Sequence, residues 1–345
     1  MRQIEIPRDV PPSLVAGFAR CHQLETWLRE MVYLETKAYF GLEYWKECKE
    51  ALKRAKVNGI PPEKSRTNNQ RHGHMATAEN DPIWFLTFDS LLKIIFDEIL
   101  WPRFKPYLTT KTILQAKLEE VTLIRNRIAH ARALHQHDLD RLCLILQELD
   151  AGVFLFCSSY GERLSFVNGM ARDNVHEYFS TNGQWQGPYP RINLNLQWSY
   201  RPSATWDEVQ AGQGKLYHFR FFPPARDNHY FDYRKILSNS TACHDQIAHF
   251  ILDETQCALE ISIPAVIGDA PIIQTIERFY QLCVNFKTIP QTRAKEGLIF
   301  DLEEIEVLYK PFEAIALEWP HYVVPPGHAY AVLDPSCTPY SMFGI

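Results

Sequence analysis

An arginine, an asparagine and a histidine stand close together in the segment Arg125-Asn126-Arg127-Ile128-Ala129-His130. Cleaving RNA without a metal needs a group that takes the 2′-hydroxyl proton, a cation for the charge on phosphorus, and a phosphate aligned for in-line attack. Histidine has an unperturbed pKa near ~6.5 and can move that proton at neutral pH. A guanidinium can hold two phosphate oxygens, and an amide can orient either group. The segment therefore has the residue types of a small phosphodiester-cleaving site.

The segment lies in a stretch with the apolar period of an amphipathic helix, which we predict from Lys111 to about Leu134. At ~100° per residue the apolar side chains form one broad stripe, and Asn126 and His130 fall on the opposite face. Arg125 lies at the edge of the stripe. A surface helix ordinarily exposes polar residues, so each of these residues by itself is also explained by solvent exposure. The stripe consists of Leu114, Leu118, Val121, Ile124, Ile128 and Ala131.

The stretch from Ile124 to His130 resembles the Arg-Asn-x-x-x-His signature of HEPN domains, a helical family of RNA-cleaving toxins and defence effectors. Two further segments resemble one HEPN subgroup: 84–91 is similar to the opening of an earlier helix, and 131–142 to the exit into the last helix. The resemblance covers about residues 15 to 155. It implies three catalytic residues and a supporting polar residue, for which Glu119 is the candidate on the same helix face. The implied catalytic residues are Arg125, Asn126 and His130.

The resemblance implies an endoribonuclease that needs no metal or cofactor and acts as a toxin or antiviral effector. Its products would have 2′,3′-cyclic phosphate and 5′-hydroxyl ends, and DNA, which lacks the 2′-hydroxyl, would not be cleaved. It also implies a homodimer in which two motif helices meet across a two-fold axis and build a composite site. Leu123 lies near the Asn126–His130 face of the helix and favours such a dimer surface.

Two other functions are compatible with the sequence. HEPN-like bundles also serve as non-catalytic dimerisation or nucleotide-binding modules, in which case the C-terminal domain, binding a ligand or a protein partner, would be the working part. The chain could also be a structural helical subunit whose motif is coincidental. The complete set of Arg125, Asn126 and His130 favours the ribonuclease.

Charge is distributed unevenly along the chain. The formal net charge of −5 argues against indiscriminate coating of nucleic acid. Residues 1–155 contain 22 Lys and Arg against 20 Asp and Glu, and the remainder contains 14 against 21. A basic stretch from Lys46 to His72 predicts a phosphate-contacting surface, although a solvated helix end with a loop is an equal alternative. The expected RNA-binding residues are Lys53, Arg54, Lys56, Arg66 and Arg71.

Length and composition predict a globular, cytoplasmic, two-domain protein with no membrane partner. The chain has 345 residues, of which 46% are hydrophobic and 22% charged. No apolar run approaches the ~20 residues that cross a bilayer, and the N-terminus lacks the apolar core of a signal peptide. The eight cysteines include no Cys-x-x-Cys pair, so we expect no disulfide framework. Cys243, His244 and His249 fit no common zinc spacing.

Residues 1–157 are predicted to form an all-α, HEPN-like bundle of four or five helices, and residues 158–345 an α+β domain that senses a ligand or partner. The bundle would consist of helices over 13–56, a helix from Asp81, the motif helix and a last helix capped by Asp138, with a loop over 63–80. The aromatic residues between 166 and 233 favour a sheet core over a base-stacking surface. Strands are predicted at 192–200, 217–221, 259–263, 305–309 and 329–333, with a turn at 212–215 and a helix from Asp269.

Overall fold

The structure, a computed structural model, describes residues 10–57, 62–71, 81–130, 132, 134–166, 173–181, 192–223, 229–288, 312, 315–316 and 323–345. The described part is rich in helix and has a five-stranded mixed sheet in its C-terminal half. The predicted order, helices first and then strands mixed with helices, is confirmed at this level. The helices of the first half are α1 Pro12–Phe40, α2 Tyr44–Arg54, α3 Pro62–Arg71, α4 Phe88–Ile95, α5 Trp101–Phe104, α6 Lys111–Ala129 and α7 Gln136–Gly161.

Helix α1 is the centre of the bundle and packs against α2, α4, α6 and α7. Every residue from Met31 to Tyr39 is buried, because neighbouring elements cover this half of the helix on all sides. The helix ends at Phe40. The next residue, Gly41, has a φ of 53° and a ψ of −120°, which glycine adopts readily but which are costly for a residue with a Cβ. The chain can therefore turn directly into α2.

The motif helix α6 packs its apolar stripe into the bundle core. Five predicted stripe residues, Leu114, Leu118, Val121, Ile124 and Ile128, are buried, and Ala131 lies outside the described residues. The close approach of α1 depends on Gly17. A Cβ at Gly17 would lie 3.0 Å from Ile128 Cδ1 and 2.6 Å from Leu134 Cδ2. The C-terminal end of the motif helix is thus fixed against α1.

Helix α6 is shorter than predicted. It ends at Ala129 rather than near Leu134, and His130 follows with φ −98° and ψ 17°. The apolar period continued past this point because Leu134 also packs against the core. The apolar period therefore predicted correctly which residues pack against the core, but it predicted the wrong end for the helix.

Two further predictions in this half need correction. Residues 62–71 form α3 where a loop was predicted, and 72–80 lie outside the described residues. Helix α3 lacks an apolar period because it is attached by a polar contact, in which Trp45 Nε1 donates to Glu63 Oε1 at 2.8 Å. The helix predicted from Asp81 is a short 3₁₀ turn over Pro82–Phe85, and α4 starts separately after the Thr87 cap.

Helix α7 is the one helix, among the described residues, that is long and apolar enough to cross a membrane. Leu142, Leu146 and Phe156 on this helix are buried in the bundle core. Burial against other helices is what the core helix of a folded bundle requires. The apolar composition of α7 is thus accounted for by packing.

The main sheet has five strands in the spatial order 193–200, 215–222, 259–264, 249–252 and 323–324. All neighbours are antiparallel except 249–252 and 323–324, which are parallel. The strands predicted at 192–200, 217–221 and 259–263 are confirmed. The strand predicted at 329–333 is wrong, because Ala329–Val332 is a helical turn, and 305–309 lies outside the described residues. The strands are β1 Asn193–Tyr200, β2 Lys215–Phe222, β3 Tyr230–Phe231, β4 His249–Leu252, β5 Leu259–Pro264, β6 Lys287–Thr288 and β7 Val323–Val324, with β3 and β6 forming a separate pair.

One face of the main sheet is apolar and packs against helices of the C-terminal half. Trp198, Tyr217 and Phe219 are buried there, which confirms the predicted aromatic core. Trp206 is exposed instead, and Trp185 lies outside the described residues. The residues before β2 form the predicted turn. The remaining helices are α8 Asn174–Thr181, α9 Trp206–Gln210, α10 Tyr233–Asn239, α11 Asp269–Asn285 and α12 Ala329–Val332.

The opposite face of the sheet meets the helical bundle. Arg201, after β1, donates from Nε to Glu35 Oε1 of α1 at 2.6 Å, and Tyr107 donates to the same oxygen at 2.8 Å. All three side chains are buried. Near the C-terminus, Tyr330 and Phe343 belong to the same core as α1 and α7. Bundle and sheet therefore share a packed interface, while a domain boundary at residue 157 stays a prediction.

Candidate functional site

The motif residues lie at the C-terminal end of α6. Asn126 and His130 are exposed, and the Arg125 side chain is 35% exposed. The backbone N–H of His130 donates to the carbonyl of Asn126 at 3.2 Å. This hydrogen bond fixes the backbone positions of Asn126 and His130 relative to each other. Both side chains remain accessible to a large substrate.

Arg125 is held by an acidic residue of α1 and an aromatic residue of α4. Glu25 Oε2 lies 3.4 Å from Arg125 Nε, and the guanidinium carbon lies 5.9 Å from the centre of the Phe88 ring. In the part of the chain that the structure describes, the terminal nitrogens Nη1 and Nη2 of Arg125 make no hydrogen bond. A guanidinium anchored at Nε can still offer its outer edge to a phosphate.

Glu25 is itself anchored by Arg29, one helical turn further along α1. Arg29 donates to Glu25 and to three backbone carbonyls, those of Ile83 at 3.0 Å, Trp84 at 3.2 Å and Leu86 at 2.8 Å. These acceptors compensate the burial of the Arg29 side chain, which is 11% exposed. The loop of these carbonyls leads directly into α4 and Phe88. Arg29 and Glu25 therefore connect residues 84–91 with the motif, the two segments that carry most of the family resemblance.

The sequence did not single out Glu25 or Arg29. Both stand about a hundred residues before the motif, and their only local signal is the i,i+4 spacing of an acid and a base on a helix. Glu119, the acidic candidate from the sequence, is exposed and lies two turns, ~10 Å, before Asn126 along α6. In one chain, Glu25 rather than Glu119 is the acid next to Arg125.

Arg127, the fourth polar residue of the motif segment, has a structural contact. Its Nη1 lies 2.7 Å from Asp138 Oδ2. Asp138 also accepts from the backbone N–H of His135 at 3.2 Å, as the third residue of α7 rather than its cap. The contact ties the end of the motif helix to the start of α7.

A groove of about 870 Å³ lies beside the motif helix, between the ends of α2 and α4 and the middle of α6. Leu123 and Ile99 are 66% and 58% exposed on it. Carboxylates outnumber cations along its lining. Such a surface suits contact with protein better than with a phosphate backbone. The charged residues of the groove are Arg54, Asp89, Lys93, Asp97, Glu98 and Glu119.

The basic stretch is partly neutralised. Arg54 donates to both carboxylate oxygens of Asp97 at 2.8 Å, and Lys53 donates to Glu50 at 2.6 Å. Lys56, just after α2, is exposed. Arg66 and Arg71 lie on α3, and their side chains lie outside the described set. The structure places Arg54 at the groove with Glu119.

On a helical wheel, Arg125 and His130 point in different directions. Five residues at ~100° each give a separation of ~140° when the wheel is continued one residue past the end of α6. Arg125 is turned toward α1 and α4 through Glu25 and Phe88, whereas His130 is exposed. Within the described residues, no group of three or more His, Cys, Asp or Glu is placed to bind a metal ion.

Comparison of the chain with protein-family models, with curated proteins and with solved structures gives no match. Its function must therefore be argued from the residues of the motif and from their surroundings.

Proposed function

We propose that this protein is a metal-independent endoribonuclease of the HEPN type, acting in the cytoplasm as a toxin or antiviral defence effector. The observation that carries the proposal is the Nε contact of Arg125 with Glu25, which holds the guanidinium and leaves its terminal nitrogens for a phosphate. Exposed Asn126 and His130 on the same helix end supply the other two groups. In this proposal residues 1–157 form the HEPN domain and residues 158–345 a regulatory domain.

The reaction is an attack of the 2′-oxygen on the adjacent phosphorus. His130 takes the 2′-hydroxyl proton as the new P–O bond forms. Arg125 binds the non-bridging oxygens, where negative charge grows, and Asn126 orients the phosphate or the imidazole. The P–O5′ bond breaks, and the leaving oxygen takes a proton from solvent. The products are a 2′,3′-cyclic phosphate and a 5′-hydroxyl.

The active unit is a homodimer in which Arg125 of one protomer and His130 of the other act on one phosphate. The divergence of the two side chains on α6 supports this arrangement. Leu123, which is 66% exposed and stands three residues before Asn126, lies at the two-fold contact. Glu119, one turn earlier, lies near it.

A second candidate is a non-catalytic dimerisation or nucleotide-binding module. What favours it is that several cations around the motif already have acidic partners: Arg125 has Glu25, Arg127 has Asp138, and Arg54 has Asp97. Under this alternative the C-terminal half binds the ligand or partner that matters. The two candidates differ in one outcome, the loss of RNA cleavage when His130 is replaced.

The test is incubation of the purified full-length chain with total RNA in EDTA, beside His130→Ala and Arg125→Ala. Loss of proton transfer or of charge stabilisation should each lower the rate by at least ~10²-fold. His137→Ala, which removes an exposed histidine on α7, is the matched control and should cleave like the wild type. Equal cleavage by all four proteins would favour the second candidate. If the purified protein does not cleave RNA, growth of expressing cells is compared with and without His130→Ala, and equal growth would also favour the second candidate.

A further inference from the structure

The sheet face that meets the bundle has rows of polar side chains. The strand register places Asn195, Arg220 and Glu260 side by side in one row, and Gln197 beside His218 in the next. Sheet faces covered by helices are normally apolar. His218 is buried and Glu260 half-buried, so these two need partners within the protein. Asn195 and Arg220 are exposed.

At one end of this face the polar side chains hydrogen-bond to one another. His218 Nε2 lies 2.7 Å from Ser199 Oγ, and Nδ1 lies 2.8 Å from Ser262 Oγ. Burial lowers the pKa of His218 to about 3, so its ring is neutral. Arg163 is fixed above it, with Nη1 3.3 Å from His218 Nε2 and Nη2 donating to Glu260 at 2.8 Å.

At the other end the same face opens into a cavity of about 390 Å³. Asn195, Gln197 and Arg220 form part of its floor, and Arg163 with the residues of 330–334 forms its wall. The volume is within the ~300–1,000 Å³ of small-molecule sites. The cavity therefore has the size for a ligand and a predominantly polar floor.

The carboxylates of this cavity are partly in use. Each accepts a hydrogen bond from a neighbour: Glu260 from Arg163, Asp253 from the backbone N–H of Thr255, and Asp334 from the backbone N–H of Ser336. These hydrogen bonds occupy only part of the acceptor capacity of the three carboxylates, which outnumber the two arginines of the cavity.

Arg220, Asn195 and Gln197 make no side-chain hydrogen bond among the described residues. Arg220 is 53% exposed and forms a loose ion pair with Asp253, in which Nη2 lies 3.7 Å from Oδ1, too far for a hydrogen bond. Within the described residues, the side chains of Asn195 and Gln197 make no hydrogen bond. The open capacity of the cavity thus includes one guanidinium and two amides on adjacent strands.

We propose that this cavity binds a small molecule with one anionic group, a phosphate or a carboxylate, on a hydroxyl- or amide-bearing body no larger than a mononucleotide. Arg220 holds the anionic group through paired hydrogen bonds. Asn195 and Gln197 offer both donors and acceptors and bind the body. Arg163 is fixed by Glu260 and the neutral His218 and serves as a preformed wall.

The cavity lies at the far end of the helix that begins at the motif. Gly161, the last residue of α7, lines it, and the start of α7 is tied to the motif helix through Asp138 and Arg127. The binding itself does not depend on the ribonuclease proposal, because it requires no RNA cleavage.

The test is calorimetric titration of the full-length protein with AMP, ribose 5-phosphate, glutamate and inorganic phosphate, beside adenosine and ribose as uncharged counterparts. We expect at least one charged probe to bind with a Kd of about 1 mM or tighter, and at least ~10-fold more tightly than its uncharged counterpart. The phosphate and glutamate titrations distinguish the two anionic groups.

Arg220→Gln should weaken this binding at least ~10-fold, and Asn195→Ala with Gln197→Ala should weaken it in a protein that keeps Arg220. Arg141→Gln, at a partly exposed arginine of the bundle, is the matched control and should leave it unchanged. The proposal is overturned if no charged probe reaches that affinity, or if Arg220→Gln binds as the wild type does.

Discussion

Glu25 and Arg125 form an ion pair across the contact between α1 and α6, with Oε2 3.4 Å from Nε. Their side chains are 18% and 35% exposed, and a pair of this exposure contributes about 1 kcal/mol or less to stability. The ion pair orients the guanidinium of Arg125, which stays accessible to a phosphate because its side chain is partly exposed. Arg29, fixed by backbone carbonyls, keeps Glu25 in place.

We predict that Glu25 positions Arg125 for catalysis. Glu25→Ala should lower kcat on a short RNA about tenfold and change KM less, because the phosphate contact itself remains. Glu25→Gln keeps an acceptor for Nε and should recover most of the loss. A purely structural role would lower the melting temperature in both variants without separating kcat from KM. Unchanged kcat in Glu25→Ala would refute the positioning role.

We predict that Leu123 lies in the dimer contact. Leu123→Asp should shift the protein to monomer in light scattering and abolish cleavage, with no loss of monomer stability because the side chain is exposed. Ile113→Asp, at an exposed apolar residue near the other end of α6, is the control. A wild-type monomer that cleaves RNA would contradict the dimer.

We predict that the basic stretch contributes to RNA binding while residues 158–345 are not a general RNA platform. Because Lys53 and Arg54 have acidic partners, Lys56→Ala should flatten the salt dependence of affinity more than Arg54→Ala. Asp97→Asn frees Arg54 and should strengthen binding. Fluorescence anisotropy over a salt series gives both slopes. If the salt dependence of RNA affinity is the same in every variant, including variants with Arg66 and Arg71 replaced, the basic stretch does not bind RNA.

We predict that acid destabilises the sheet through His218. Its pKa is about 3 in the folded protein because of burial, against ~6.5 unfolded, so the unfolded state binds more protons below pH ~6.5. The free energy of unfolding should therefore fall as pH drops from ~6.5 to about 3, the folded-state pKa. His218 contributes up to ~1.4 kcal/mol per pH unit to this fall. Glu260 acts in the same direction at lower pH: burial alone would raise its pKa, but Arg163 and His218 lower it to about 2. Urea unfolding of His218→Gln should show a shallower pH dependence, and exposed His137→Ala should not.

The buried stripe of α6 was predictable, because burial of Ile124 and Ile128 follows from spacing along a single helix. The exposed face with Asn126 and His130 followed from the same wheel. Glu25 could not be predicted, since its contact with Arg125 exists only after α1 packs against α6 through Gly17.

The errors have a similar origin. Helix α3 is attached to α2 by Glu63 and lacks the apolar period that marks a packed helix. The turn over 329–332 resembled a strand because five residues are too few to separate the two periods. There, burial of Tyr330 against the bundle decides the conformation. The polar rows of the sheet could not be predicted from the sequence, because they depend on the strand register that places Arg220 beside Asn195.

The most direct test of a composite ribonuclease site is complementation between two inactive variants. Arg125→Ala and His130→Ala should each be inactive alone against an RNA that the wild type cleaves. When both are co-expressed, one of the two sites in each mixed dimer keeps an intact arginine and histidine. We predict recovery of about a quarter of the wild-type rate, with 2′,3′-cyclic phosphate ends and no cleavage of the matched DNA. Cleavage by either variant alone at the wild-type rate, or no recovery in the mixture, would contradict the account.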